Sequence, residues 1–110
     1  MRRRAGADLV DIDTIQGTCR LWYLEPRVID FAAIEQAADD ASYELVGIEL
    51  ALEGELVREG GKLELVVPQT GQRLPVEGET DLTGRLHLHT TITGWKEGAA
   101  RATVDHGHAP

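Results

Sequence analysis

The stretch VGIELALEGEL (residues 46–56) lies near the middle of the 110-residue chain and predicts how the rest of it folds. Its apolar and polar side chains alternate, which is typical of a β-strand with one buried face. One face carries Val46, Ile48, Leu50 and Leu52, and the other carries Glu49, Ala51 and Glu53. Further strand patterns follow without a linker, so we expect two structural units to share this strand.

Two shorter alternating stretches precede it, DLVDIDT (residues 8–14) and TCRLWYLEP (residues 18–26). The first places Val10 and Ile12 on one face. The second places Cys19, Leu21 and Tyr23 on one face and Arg20, Trp22 and Leu24 on the other. Trp22 and Leu24 are expected either to be exposed as a partner interface or to be buried under the second half of the chain. Gly17 indicates a turn between them, and Pro26, which has no N–H to donate, ends the second strand.

One segment, IDFAAIEQAADDASYEL (residues 29–45), has the periodicity of a helix. Asp30 is the expected N-cap, because its carboxylate can accept a hydrogen bond from the first turn. Ile29 and Ile34 flank it at the spacing of a hydrophobic staple. The predicted apolar stripe consists of Phe31, Ile34, Ala38, Ala41 and Leu45.

The last half of the chain reads as short strands separated by glycine-containing turns. The strands after residue 60 are KLELVV (residues 62–67), RLPVE (residues 73–77), RLHLHTTITGW (residues 85–95) and AARATV (residues 99–104). Pro75 cannot donate to a strand ladder, which indicates that RLPVE lies at a sheet edge. Residues 105–110 are expected to lie beyond the last strand, without fixed structure.

Charge and composition limit the classes of partner. The net charge is −8, and such an acidic surface disfavours both nucleic acid and anionic membranes. Three of the basic residues lie in MRRR (residues 1–4), which we interpret as a frayed tail. The single cysteine cannot form an intrachain disulfide, and no apolar run is long enough to span a membrane. We therefore expect a cytoplasmic protein.

Residues 8–50 resemble the second half of a heavy-metal-associated domain, a small ferredoxin-like fold that carries copper or mercury. The hairpin pattern of that family is occupied by Val10, Ile12, Gly17, Leu21, Tyr23 and Pro26. Its helix pattern is occupied by Ile34, Ala38, Tyr43 and Leu45, with Ser42 where the family usually has glycine. The Cys-x-x-Cys metal site of the family has no counterpart, because Cys19 falls inside a strand. The resemblance implies a carrier-like scaffold that lacks the thiolate site.

The second half is similar, more loosely, to a small oligonucleotide/oligosaccharide-binding (OB) barrel. The features are five short strands, glycines at corners and TGWKEG (residues 93–98) before the last strand. We therefore predict an α+β, mainly β fold. A heavy-metal-associated-like β-β-α-β half domain at residues 8–53 continues into a five-stranded OB-like barrel at residues 46–105, and the two share the strand near residues 46–53.

All four histidines lie in the last quarter of the chain. His87 and His89 are two apart on a strand, so they share a face, and His106 and His108 repeat the spacing in the end segment. Together they could bind Zn²⁺, Ni²⁺ or Cu²⁺ if that segment folded back. The alternative, which the sequence favours, is a solvated strand face and an unstructured end that binds metal only adventitiously, because no nearby carboxylate orients the rings.

No GxSxG, phosphate loop or Ser–His–Asp ordering is present, so catalysis is not expected. Our first hypothesis is a non-catalytic interaction or assembly module, accessory to copper or heavy-metal handling. A histidine-based metal binder is the second, and an OB-type binder of oligosaccharides or single-stranded nucleic acid is the third. We expect a protein partner or a homodimer, because a sheet without its first strand leaves edges unpaired. Trp22, Leu24 and Trp95 are the candidate interface residues.

Overall fold

The computed structural model describes residues 9–13, 15–25, 27–78 and 80–109. The elements are β1 (Leu9–Asp13), β2 (Thr18–Tyr23), α1 (Phe31–Asp40), β3 (Gly47–Glu59), β4 (Lys62–Val66), β5 (Arg73–Glu77), β6 (Gly84–Thr93), a 3₁₀ turn (Trp95–Glu97) and β7 (Arg101–His108). The fold is therefore mainly β with one helix, as predicted. The interpretation of residues 1–4 as a tail and the strand end at Pro26 lie outside the described residues.

Strand β3 organises the sheet because it is long enough to pair with three neighbours. Residues 47–52 pair with β2 in parallel, residues 48–56 pair with β6, and residues 55–59 pair with β4, the last two antiparallel. The seven strands form one sheet in the order β1-β2-β3-β4-β5-β7-β6, and the β3–β6 pairing closes five of them into a ring. The stretch at residues 46–56 thus joins the hairpin and helix to this ring.

The hairpin between β1 and β2 turns at Gly17. Asp13 caps the turn, because its side chain accepts hydrogen bonds from the backbone N–H groups of Ile15 and Gln16. Gly17 has a φ of 72°, and a Cβ there would lie 2.5 Å from the Glu44 carbonyl oxygen. Glycine is needed for both reasons, and its presence lets the turn lie against the segment that leads into β3.

Helix α1 begins as predicted but ends earlier. The Asp30 carboxylate accepts from Ala33 N–H at 3.0 Å, so Asp30 is the N-cap. The helix stops at Asp40, whereas the apolar stripe predicted a helix to residue 45. Ser42 takes a left-handed φ of 60°, and the next amide, Tyr43 N–H, bonds back to the Ala38 carbonyl at 3.1 Å. This is the Schellman ending, which places Leu45 in the core from outside the helix.

One continuous core serves the whole chain. Its largest fully buried apolar side chains come from the hairpin, the helix and the ring alike: Leu21, Ile34, Ile48, Leu50, Leu65, Leu88, Ile92 and Val67. Each such side chain stabilises the fold by roughly 1.5–3 kcal/mol relative to exposure. The division into a half domain at residues 8–53 and a barrel at residues 46–105 remains a prediction.

The prediction that Pro75 marks a sheet edge is wrong. Strand β5 lies between β4 and β7, with Pro75 opposite Glu64 and with Val76 opposite Ala102. The pairing with β7 involves only Val76 and Glu77, so the missing N–H of Pro75 falls outside it. The strand pattern alone does not show this position, because ring closure depends on contacts between distant segments.

Within the described residues, no helix is long and apolar enough to cross a membrane.

Candidate functional site: a histidine-bearing sheet face

Strand β7 runs four residues further than predicted. Residues 105–108 are not an unstructured end, because residues 106–108 pair with β6, with His106 opposite His89 and His108 opposite His87. The pairing shifts register between His89 and Thr90, so Asp105 is the extra residue of a β-bulge. The bulge reverses the alternation, so Val104 packs against the core while His106 faces outward.

Gly107 is the reason that this end of β7 can lie flat on β6. It pairs with Leu88, whose side chain is fully buried. A Cβ at residue 107 would lie 2.7 Å from Leu88 Cδ2 and 3.2 Å from the His87 carbonyl oxygen. Because contacts this short force the neighbours to move, the glycine permits the close approach that brings the two histidine segments together.

The four predicted histidines therefore do come together, as two cross-strand pairs. The rings of His89 and His106 are stacked, with centroids 4.2 Å apart and planes 19° apart. The rings of His87 and His108 are 5.5 Å apart and tilted by 33°. In the part of the chain that the structure describes, no three His, Cys, Asp or Glu side chains are placed to hold a metal ion. A single chain therefore presents its imidazoles as two separate pairs.

These pairs belong to a wider outer surface of strands β2, β3, β6 and β7. Trp22, Ala51, His89 and His106 form one row across the four strands, because each lies opposite the next in the register. A neighbouring row places Glu53 opposite His87 and His87 opposite His108. We call the following set the histidine face: Arg20, Trp22, Glu49, Ala51, Glu53, His87, His89, His106 and His108.

Two grooves cross the histidine face. The larger, of about 400 Å³, is lined on its apolar side by Trp22, Leu24 and Ala51 and on its polar side by three of the histidines. The smaller, of about 350 Å³, runs over the His89–His106 pair beside Trp22. Ala51 is the small residue between the larger rings of Trp22 and His89, so it forms the floor. Leu24 is 74% exposed at the rim, which leaves apolar surface available for contact.

The carboxylates of the histidine face are held by arginines. Arg20 donates from both Nε and Nη2 to Glu49 Oε2, at 3.2 and 3.1 Å. Arg85 Nε lies 4.0 Å from Glu53 Oε2. Asp105, at the bulge, accepts from the Thr91 hydroxyl at 2.7 Å. The face therefore carries both positive and negative charges. Because these carboxylates already have partners, the imidazole nitrogens are the groups of the face that can bind a ligand.

The environment of His89 favours the neutral ring. Partial burial lowers the pKa of His89, and the neighbouring His106, His108 and Arg20 lower it further, against a smaller opposite effect of Asp105. Burial disfavours the charged form, and adjacent cationic groups do the same. A neutral imidazole keeps a lone pair that can accept a hydrogen bond or bind a metal.

Cys19 does not take part in this site. Its side chain is buried on the inner face of β2, opposite to the side that carries Trp22. Burial raises the pKa of the Cys19 thiol, a hydrogen bond with Tyr43 partly offsets this, and Asp11 raises it slightly more. The thiol is therefore protonated at neutral pH and does not join the imidazoles as a ligand.

Trp95 does not line either groove, in contrast to Trp22 and Leu24. It lies in the 3₁₀ turn before β7 and packs against the core. Its indole Nε1 is buried, with no hydrogen-bond partner among the described residues. Of the three predicted interface residues, two share a groove and the third packs as a structural residue of the ring. The OB-type ligand hypothesis, which uses Trp95, remains a prediction.

Comparison of the chain with protein families, with curated proteins and with solved structures gives no match. The resemblance to heavy-metal-associated domains and to OB barrels therefore depends on the residue patterns alone.

Proposed function

We propose that this protein is a non-catalytic interaction module whose binding surface is the histidine face. The observation that carries the proposal is the groove in which half-buried Trp22 and exposed Leu24 adjoin imidazoles on the sheet. Aromatic and aliphatic groups beside adaptable polar groups are typical of protein-binding surfaces. Ion pairing of Glu49 and Glu53 with arginines makes these carboxylates poor candidates for acid–base catalysis.

The architecture supports a relation to the two resembled folds. An antiparallel β1–β2 hairpin, helix α1 and a strand β3 parallel to β2 follow the element order of the second half of a ferredoxin-like unit. The direct pairing of β2 with β3 differs from that fold, in which the first strand lies between these two. The closed ring of β3, β4, β5, β7 and β6 has the strand number of an OB barrel. Through the first resemblance we place the module as an accessory in copper or heavy-metal handling, without the thiolate site of the carriers.

Panning of a random-peptide phage library against the metal-free protein in EDTA tests the binding surface. We expect enriched peptides that bind the wild-type chain and lose at least about tenfold in affinity for Trp22→Ser and Leu24→Ser, since a tenfold loss corresponds to about 1.4 kcal/mol. Ile15→Ser is the matched control, because Ile15 is 96% exposed in the β1–β2 turn and lines neither groove. Peptides that bind all variants equally would place the binding surface elsewhere.

Transition-metal binding is a second candidate function. The specific observation in its favour is that β7 brings His106 and His108 against His89 and His87. Equilibrium dialysis with Cu²⁺, Ni²⁺ and Zn²⁺ tests it, with affinity expected to follow the general order for nitrogen donors. Dissociation constants weaker than about 100 μM, which correspond to less than about 5.5 kcal/mol of binding free energy, would end this candidacy.

A further inference from the structure

Each histidine pair supplies two nitrogen donors, which is half of the set that a four-coordinate metal ion takes in proteins. No third protein donor is placed beside either pair among the residues that the structure describes. The inner side of β6 is closed, since Leu88 and Thr90 are buried. The described residues therefore leave the set incomplete, and a second molecule that approaches the histidine face from outside can complete it.

We propose that a divalent transition-metal ion joins two copies of this chain, each supplying His89 and His106 to a shared four-imidazole site. The proposal deepens the proposed function, on which it rests, by naming the partner as a second copy and the ligand as a nitrogen-preferring ion. A two-fold axis through the ion would place the same pair on both sides, as a symmetric dimer requires.

Geometry favours the His89–His106 pair over the His87–His108 pair. The first pair has the closer rings, with centroids 4.2 Å apart against 5.5 Å. It lies under a groove of about 350 Å³, which leaves room for an ion and for approaching side chains. His106 also follows Asp105, whose hydrogen bond to Thr91 fixes the backbone at the bulge.

Charge explains why the ion would be required. Two chains of net charge −8 repel each other at neutral pH, which opposes association by apolar contact alone. Within the histidine face, however, Arg20 accompanies Glu49 and Arg85 accompanies Glu53. Two-fold pairing can therefore set an arginine of one copy against a carboxylate of the other. The ion adds positive charge at the centre, and Trp22 and Leu24 supply apolar area around it.

Light scattering or sedimentation of the full chain, first dialysed against EDTA, tests this proposal. We expect a monomer without metal. Stepwise Zn²⁺ should double the mass by about half an equivalent per chain, and excess EDTA should reverse it, because one four-coordinate ion serves two chains. Ni²⁺ should act in the same way. A mass that stays monomeric through one equivalent of Zn²⁺, or that is already dimeric in EDTA, would overturn the proposal.

Paired variants assign the ligands. His89→Gln and His106→Gln should abolish the metal-dependent doubling, while His87→Gln and His108→Gln should keep it. His106 is exposed, so its replacement leaves the core intact, and circular dichroism of each variant checks folding. The opposite pattern, or equal loss in all four variants, would reject the assignment. The peptide selection is performed in EDTA, so failure of metal-driven pairing is distinguishable from failure of the interaction surface.

Discussion

The side-chain amide of Gln72 pairs with the backbone of Ile29 in both directions. Ile29 N–H donates to Gln72 Oε1 at 2.5 Å, and Gln72 Nε2 donates to the Ile29 carbonyl at 2.9 Å. Ile29 itself is buried, directly before the N-cap of α1. The amide therefore acts like a short piece of strand that ties the helix entry to the β4–β5 turn.

Replacing Gln72 should remove both hydrogen bonds to Ile29 and destabilise the fold. Gln72→Ala leaves two partly buried backbone groups without partners, so we expect the free energy of unfolding to fall by about 1–3 kcal/mol. Urea denaturation followed by tryptophan fluorescence measures it. Gln16→Ala is the matched control, because Gln16 is exposed in the β1–β2 turn, and a loss as large as that of Gln72→Ala would refute a specific role for the amide.

Ser42→Gly should stabilise the protein. Ser42 holds a left-handed φ of 60° at the end of α1, where glycine carries no Cβ penalty. We expect a gain of about 0.5–1 kcal/mol, reduced by the greater freedom of glycine in the unfolded chain. Thermal and urea unfolding are the measurements. Ser42→Ala, which keeps a Cβ, should give no gain, and a gain of equal size there would contradict the backbone explanation.

Gly107→Ala should disturb the histidine pairs. Its new methyl would meet Leu88 Cδ2 at 2.7 Å, and overpacking of this kind costs about 1–3 kcal/mol. Because Leu88→Val removes the methyl that Gly107→Ala would meet, the double variant should lose less than the sum of the single losses. Nuclear magnetic resonance of the histidine ring protons reports the pair geometry. Additive losses would show that the clash lies elsewhere.

Stability should decline in mild acid, partly through His89. Its pKa is lowered in the folded state, so the unfolded chain binds the proton more tightly. The contribution of His89 is constant above about pH 6.5 and is lost as the pH falls through and below the unfolded value. Unfolding of wild type and His89→Gln at pH 7.5 and 5.5 tests this. The variant should lose less than wild type, and equal losses would exclude His89 as a source.

The Cys19–Tyr43 contact predicts a loss of stability in alkali. Burial and the neighbouring thiol raise the pKa of Tyr43 to about 12, and burial raises that of Cys19. Both groups stay protonated in the fold at a pH where the unfolded chain ionises, so stability should fall as the pH rises above about 9. Urea unfolding at pH 8 and 10 measures this. Cys19→Ala should reduce the decline, and an unchanged decline would assign it to other groups.

Local periodicity was sufficient for the elements whose structure depends on near neighbours. The alternation in β3 predicted the buried face of Ile48 and Leu50 correctly, and Asp30 was correctly predicted as the helix N-cap. In β2 the alternation placed Leu21 and Trp22 on opposite faces, as observed, without indicating which face is buried. Such patterns follow from the geometry of one strand or one helical turn, so no distant contact is needed to find them.

The errors arose where the backbone departs from a regular helix or strand and where distant segments decide the structure. Ser42 ends α1 through a left-handed turn that a serine seldom adopts, so the apolar stripe suggested a longer helix. Asp105 reverses the alternation of β7 through a bulge. The need for glycine at residue 107 is evident only from its close approach to Leu88 in the folded sheet. The spacing of His106 and His108, equal to that of His87 and His89, was the one sequence signal for their pairing. This equal spacing does not by itself predict pairing, because pairing depends on the register between β6 and β7.

Closure of the ring leaves β1 as the strand with a single neighbour among those described. Its centre is Asp11, which is exposed, as is Asp13. A second copy that added antiparallel about this centre would bring Asp11 against its own equivalent, and like charges in direct opposition destabilise a strand pair. The aspartates of β1 therefore disfavour the addition of further copies strand by strand into an open-ended fibril. Assemblies that do not extend the sheet at β1 are not opposed in this way.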